Sequence, residues 1–201
     1  PFLYKKQPFS TKSKDVLYNI DNKSIIGPSD EKILETDELG IPGEHNLQNF
    51  LAASTCSHLM GISQNQIVRT LKEFKGVEHR LEYVRTINEV EYINDSKATN
   101  INSVIVAINT YDRPIILILG GFNKGANFRL LLPHIKSSHV REIVSYGDAG
   151  GQINTALGDA VRSVQVTDLS SAVKKAQLMA APGDIVLLSP GCASYDEFSN
   201  L

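Results

Sequence analysis

Six consecutive residues, 95–100, combine side chains that could bind phosphate or a metal-bound water. Asp95 could orient a cation, and Lys97 could neutralise a phosphate or an anionic transition state. Thr99 or Asn100 could cap a helix that begins directly afterwards. A capped turn with a surface lysine is the alternative that the spacing leaves open.

The residues on either side of this segment indicate where it lies in the fold. An apolar run over residues 90–93 is typical of a strand, and residues 101–108 are typical of a helix. Ligands bind at the carboxyl ends of strands in open α/β sheets, and free N–H groups at a helix start favour anions. The pattern therefore predicts a site at a strand end.

Two later strands are followed by similar loops. Residues 115–119 lead into 120–125, and residues 185–188 lead into 189–194. If the sheet is parallel, these loops converge with residues 95–100 at one edge.

The two later loops carry candidate ligands for a carboxylate. Lys124 lies in a glycine-rich loop whose backbone could form a nest of N–H groups, or it is an exposed lysine in a simple turn. Ser194 could donate a hydrogen bond to a carboxylate, or cap a following helix. The loop around Lys124 is neither a Gly-x-Gly-x-x-Gly fingerprint nor a Gly-Lys-Ser/Thr phosphate loop. Cys192 is interpreted as a small buried residue rather than a nucleophile.

Three upstream residues are further candidates. Asn46 and Asn49 share a helical face, where their amides could bind a purine or ribose edge or could cap the helix. Arg80 could bind phosphates bidentately, or pair with Glu78 or Glu82.

Composition and net charge argue against several classes of function for this chain. The chain has 201 residues, of which 42% are hydrophobic and 21% charged, and a net charge of -2 without a basic run. We therefore expect neither a nucleic-acid partner nor membrane insertion. Neither the five histidines nor Cys56 and Cys192 show metal-ligand spacing, so we expect no metal site, and the cysteine usage favours the cytoplasm.

The pattern of elements predicts two domains that meet at Gly76. The first contains a β-meander (16–20, 24–27 and 32–36) and two helices (46–60 and 63–75), the second opened by a Ser63–Gln66 capping box. The second contains a hairpin and alternating strands and helices, which predict a doubly wound, Rossmann-like α/β fold. Its expected elements are strands at 81–87, 90–93, 115–119, 142–146, 163–166 and 185–188, and helices at 101–108, 128–135, 151–157 and 169–180.

Five segments in one order resemble the Mur ligases, and within that family the members that add D-glutamate. They are residues 43–49 (Gly-Glu-His-Asn-Leu-Gln-Asn), 78–82 (Glu-His-Arg-Leu-Glu), 95–100 (Asp-Ser-Lys-Ala-Thr-Asn), 119–124 (Leu-Gly-Gly-Phe-Asn-Lys) and 188–198 (Leu-Ser-Pro-Gly-Cys-Ala-Ser-Tyr-Asp-Glu-Phe). The resemblance implies that residues 1–76 are the end of an α/β central ATPase domain. It implies that residues 77–201 are a Rossmann-like amino-acid-binding domain, truncated at its C-terminus.

The resemblance also implies an activity and a role for each candidate residue. Such ligases use ATP and magnesium to activate a carboxylate as an acyl phosphate, which an amine then attacks. The substrates implied are UDP-N-acetylmuramoyl-L-alanine and D-glutamate, bound by a monomer. The resemblance places Lys97 near the transferred phosphoryl group. It also implies which residues bind the two ligands. ATP is bound by Asn46, Asn49, Arg80 and Asp95, and the carboxylates of D-glutamate are bound by Thr99, Lys124 and Ser194.

Several family features are not found in this sequence. The Gly-Lys-Ser/Thr loop, a carbamylated lysine, the main magnesium ligands and a UDP-binding domain belong to the family's upstream half. Because the chain begins with Pro1 rather than an initiator methionine, we expect Pro1 to be internal to a longer polypeptide. Because the phosphate loop is missing, we expect the chain alone to be inactive. The alternatives are another Mur-type or folylpolyglutamate-type ligase, and a non-catalytic Rossmann ligand-binding domain.

Overall fold

The computed structural model describes residues 10, 16–41 and 43–196. The chain divides into two compact units, Pro1–Gly76 and Val77–Leu201. The division follows Gly76, the residue at which the pattern of predicted elements places the boundary between two domains.

The first unit contains a three-stranded antiparallel meander, and the predicted meander is confirmed. Its strands are β1 (Asn19–Asp21), β2 (Ser24–Ile26) and β3 (Lys32–Glu35). The first strand begins at Asn19 rather than at Val16. Asn22 and Lys23 connect β1 to β2 with φ values of 47° and 64°, the left-handed backbone that a tight two-residue turn requires.

Two helices, α1 (Glu44–Leu59) and α2 (Gln64–Glu73), complete this unit. The predicted capping box is confirmed, because Ser63 caps α2 and its backbone N–H donates to Gln66 Oε1 at 3.3 Å. Of the apolar side chains on and directly after α2, Ile67 and Leu71 are buried, whereas Phe74 is 37% exposed. The core of the unit is formed by Tyr18, Ile25, Leu34, Phe50, Leu51, Ile67 and Leu71.

The second unit is built on a six-stranded sheet with the order β4-β5-β9-β6-β7-β8. The predicted hairpin is confirmed as the antiparallel pair β4–β5, while all other neighbours are parallel. The strands are β4 (Glu82–Ile87), β5 (Val90–Asn94), β6 (Ile115–Gly120), β7 (Val140–Tyr146), β8 (Arg162–Gln165) and β9 (Ile185–Gly191).

Helices cover both faces of this sheet. They are α3 (Ile101–Asn109), a 3-10 helix (Phe128–Leu131), α4 (Leu132–Ser137), α5 (Gly150–Leu157) and α6 (Leu169–Met179). Alternate residues of β6 pack on opposite faces: Leu117 belongs to the cluster that includes α3, α4 and α5, and Ile118 to the one that includes α6. The predicted doubly wound α/β fold is thereby confirmed.

Two further elements differ from the prediction at a proline. The helix expected over 128–135 is divided, because Pro133 has no N–H to continue the first turn, and a 3-10 turn precedes α4. The last strand was expected to end at Leu188 but continues to Gly191. Its pairing with β5 stops at Leu188, and its pairing with β6 shifts register beyond that point. Pro190 therefore lies at an irregularity where no ladder donor is needed.

Candidate functional site

The carboxyl ends of three neighbouring strands form one edge of the sheet. β9 pairs in parallel with β5 on one side and with β6 on the other. The loops after these strands therefore emerge side by side, and the predicted convergence of the three loops is confirmed.

A cavity of about 900 Å³ lies at this edge. Four of the predicted site residues, Lys97, Thr99, Lys124 and Ser194, line it together. The other lining residues are His79, Val84, Asn94, Ser96, Tyr146, Leu169, Leu188, Pro190, Cys192, Ala193 and Tyr195. The cavity thus combines two lysines and several hydroxyls with an apolar floor, which suits a small anionic ligand.

Asp95 is not among the residues that line the cavity. Its side chain is 5% exposed and accepts hydrogen bonds from Ser189 Oγ at 2.8 Å and from the Leu81 N–H at 3.2 Å. Because Ser189 lies on β9 and Asp95 follows β5, this bond fastens two of the three strand ends together. Burial raises the pKa of Asp95 above its ordinary value of 3.8. The two hydrogen bonds and the charge of Arg80 favour the ionised form but only partly offset burial.

We expect Asp95→Asn to change the pH dependence of stability. Since the folded state holds the Asp95 proton more tightly than the unfolded state does, the contribution of Asp95 is fully present below pH 3.8 and is lost as pH rises through the raised pKa. The stability of the unsubstituted protein relative to the Asp95→Asn variant should therefore decrease as the pH rises from acidic to neutral. Urea unfolding of both proteins across this range measures the difference, and a difference that rises with pH would contradict the assignment.

Backbone hydrogen bonds hold the segment 95–100 in place at the cavity. The Gly191 N–H donates to the Ala98 carbonyl at 2.7 Å, and the Lys97 N–H donates to the His79 carbonyl at 3.1 Å. Asn100 caps α3, since its Oδ1 accepts from the Ser103 N–H at 3.0 Å. The structure thus decides between the two candidate caps: Asn100 caps the helix, and Thr99 lines the cavity.

The glycine-rich loop is fixed to the loop after β9. The Phe122 N–H donates to the Ala193 carbonyl at 2.8 Å, and the Ala193 N–H donates back at 3.2 Å. Asn123 Oδ1 accepts from the N–H groups of Gly125 and Ala126, at 2.9 and 2.6 Å. The N–H groups of residues 121, 122, 125 and 126 thus donate within the protein, so the possible anion nest is not built from them. Lys124 is the group of this loop that faces the cavity.

Tyr195 contacts Lys124 and was not predicted as a site residue. The Lys124 Nζ donates to the Tyr195 hydroxyl at 3.3 Å and lies 4.3 Å from the centre of its ring. His79 is a second lining residue without a predicted role. Both belong to segments that resemble the family, but no spacing rule singles them out.

Cys192 lines the cavity but is not suited to nucleophilic attack. It is 4% exposed, and burial raises the pKa of its thiol to about 11, with a further contribution from the charge of Asp196. The interpretation of Cys192 as a small buried residue is confirmed.

The remaining predicted residues lie outside the cavity lining. In the first unit, Asn46 is buried and Asn49 is exposed, both on α1. In the second unit Arg80 is exposed, and one of its two possible partners, Glu82, accepts instead from the His79 N–H at 2.9 Å. Binding of ATP by these residues and Asp95 stays a prediction.

Among residues 10, 16–41 and 43–196, no three His, Cys, Asp or Glu side chains come close enough to hold a metal ion. Over the same residues, no helix is both long and apolar enough to cross a membrane.

The model of the family "Mur ligase, glutamate ligase domain" matches residues 79–192, which include the loops 95–100 and 120–125 and the first part of the loop 189–194. The chain belongs to the Mur ligase family.

Similar curated proteins carry a more specific name. The chain is 45% identical over 172 residues to the UDP-N-acetylmuramoylalanine–D-glutamate ligase of Pelotomaculum thermopropionicum, covering 85% of this chain and 38% of that protein. It is 44% identical over 185 residues to the ligase of the same name from Clostridioides difficile, covering 90% and 41%. The chain therefore spans about two fifths of these relatives' length. Among solved structures, MurF from Acinetobacter baumannii shares the fold, with a TM-score of 0.68 at 16% identity over 92% of this chain and 43% of MurF.

Proposed function

We propose that this chain is part of an ATP-dependent ligase that joins D-glutamate to UDP-N-acetylmuramoyl-L-alanine, in the cytoplasmic synthesis of peptidoglycan precursors. The observation that carries the proposal is the cavity, which brings Lys97, Thr99, Lys124 and Ser194 together in a chain 45% identical to a ligase of that name. The chemistry is activation of the UDP-linked carboxylate as an acyl phosphate, followed by attack of the amine of D-glutamate.

The charges of the cavity suit both halves of this reaction. A lysine ammonium held in a partly enclosed site stabilises negative charge that develops in a transition state. Lys97 takes this role near the transferred phosphoryl group. Thr99, Lys124 and Ser194 supply hydroxyl and ammonium donors for the two carboxylates of D-glutamate and so orient its amine.

Binding of ATP is proposed for Asn46, Asn49, Arg80 and Asp95. Bound ATP supplies the phosphoryl group, and its magnesium is held mainly by upstream residues of the parent. Because Asp95 is buried and engaged with Ser189 and Leu81, its further contribution is to hold the loop that carries Lys97. The sequence contains no Gly-Lys-Ser/Thr phosphate loop, so the 201-residue chain alone should not catalyse the reaction.

Phosphate release by the full-length parent enzyme tests the proposal. The assay contains ATP, magnesium, one member of a panel of D- and L-amino acids, and either UDP-N-acetylmuramoyl-L-alanine or, in a separate series, a folate acceptor. We expect turnover with D-glutamate alone. Turnover with a different amino acid would keep the ligase class but change the substrate, turnover only with a folate acceptor would favour a folylpolyglutamate-type ligase, and no turnover would favour a binding domain.

In the same assay Lys124→Ala should raise KM for D-glutamate roughly thirtyfold, because one charge-assisted hydrogen bond to a carboxylate is lost. The exposed Lys136→Ala on α4 is the matched control and should leave KM unchanged. An unchanged KM in Lys124→Ala would remove Lys124 from the carboxylate site while leaving the ligase reaction intact.

A further inference from the structure

The side chain of Lys124 contacts Tyr195, an exposed aromatic residue whose ring lies near that of Phe122. Tyr195 and Phe122 are 56% and 42% exposed. Their rings lie 6.4 Å apart at an angle of 54°. Since Phe122 also pairs through its backbone with Ala193, the position of Tyr195 is tied to the loop that carries Lys124.

Two contacts join Tyr195 to the ammonium of Lys124. The Nζ lies 4.3 Å from the ring centre, a distance at which the ring face attracts a cation. The same Nζ donates to the hydroxyl oxygen at 3.3 Å. An unrestrained lysine side chain loses considerable rotamer entropy when it binds a ligand. Because the two contacts already restrict the Lys124 side chain, less of this entropy is lost on binding.

The direction of this hydrogen bond leaves a donor available on Tyr195. An ammonium can only donate, so the tyrosine oxygen accepts, and its own O–H proton remains to be given elsewhere. Tyr195, Lys124 and Ser194 all line the same cavity. A carboxylate that contacts the Lys124 ammonium would therefore lie near a second, neutral donor, the O–H of Tyr195.

We infer that Tyr195 is a substrate-binding and positioning residue, which holds Lys124 in place and donates its O–H to the same ligand carboxylate. The inference rests on the proposed function, since it takes the carboxylate to be one of the two of D-glutamate. It separates two contributions: the ring restricts the lysine, and the hydroxyl binds the ligand.

Two substitutions in the full-length parent enzyme test the inference. Tyr195→Phe removes the hydroxyl and should raise KM for D-glutamate about threefold, whereas Tyr195→Leu also removes the ring and should raise it about tenfold. The kcat should be unchanged in both, because the reacting groups remain in place. Tyr83 is the matched control: it is 59% exposed, does not line the cavity, and Tyr83→Leu should leave KM unchanged. An unchanged KM in Tyr195→Leu would overturn the inference.

A second measurement does not depend on catalysis. In protein labelled with ¹³C at the lysine ε-carbon, the Lys124 signal, assigned by its loss in Lys124→Arg, should be shifted upfield by the tyrosine ring. The shift should persist in Tyr195→Phe and disappear in Tyr195→Leu; its persistence in Tyr195→Leu would contradict the ring contact.

If no amino acid supports turnover, the proposed function fails, but titration of the Lys124 signal with D-glutamate still tests the role of Tyr195. Saturable movement that weakens in Tyr195→Phe would support the inference, and an equal response or none would overturn it.

Discussion

Replacing Lys97 with alanine in the full-length parent enzyme should lower kcat about a thousandfold and change KM for D-glutamate far less. Lys97 lines the cavity, and its backbone N–H is bonded to the His79 carbonyl at 3.1 Å, so the loop that carries it is held in place. Its ammonium would act mainly on charge that develops during phosphoryl and acyl transfer. Initial rates at saturating ATP and UDP-N-acetylmuramoyl-L-alanine measure the effect.

The matched control for this substitution is Lys174→Ala, which removes an exposed lysine of α6 outside the cavity lining. It should retain the parental kcat. A Lys97→Ala enzyme whose kcat fell less than about tenfold would show that Lys97 does not stabilise the transition state.

Gly121→Ala should lower kcat/KM about a hundredfold and reduce stability by about 3 kcal/mol. Gly121 has φ of 110°, and a Cβ at this position would overlap the carbonyl oxygen of Ala193. That oxygen accepts the Phe122 N–H at 2.8 Å, so relief of the overlap must separate the two loops. Lys124 and Tyr195 would then be displaced with their loops. Phosphate release and urea unfolding measure the two effects.

A second glycine separates backbone strain from steric overlap. Gly183 also has positive φ, 91°, but a Cβ there would meet no atom within 4 Å. Gly183→Ala should therefore cost only about 1 kcal/mol and leave kcat/KM unchanged. If Gly121→Ala were no more destabilising than Gly183→Ala, the close approach of the two loops would not be required.

The elements that the sequence predicted best are those with strong local signals. β6 follows from a short, entirely apolar run, because a parallel strand covered on both faces has no polar side. The turn between β4 and β5 follows from Asn88 and Glu89, which adopt φ values of 51° and 61°. The start of α2 follows from Ser63 and Gln66.

The end of β9 could not be predicted from local signals. A proline normally argues against a central strand, and Pro190 is accommodated only because the pairing with β6 shifts register there. The choice between Thr99 and Asn100 as helix cap was also open, since both side chains can accept a backbone N–H.

The cavity was predictable in outline because polar residues follow three strands. Its supporting contacts were not, since they join residues far apart in sequence. Ser189 is 94 residues from Asp95, and Tyr195 is 71 residues from Lys124. Neither the burial of Asp95 nor the position of Tyr195 has a spacing that would reveal it.

The central place of β9 has a consequence for synthesis on the ribosome. β9 is the last of the six strands to be made, yet it lies between β5 and β6. Until residue 185 and its successors emerge, the nascent β4–β5 hairpin and the β6–β7–β8 segment cannot join into one sheet, and the edges of β5 and β6 stay unpaired. Because the cavity's loops follow β5, β6 and β9, a nascent chain acquires the cavity at the same moment as it completes the sheet. A translation product that stops before β9 lacks the cavity and exposes two strand edges that favour aggregation.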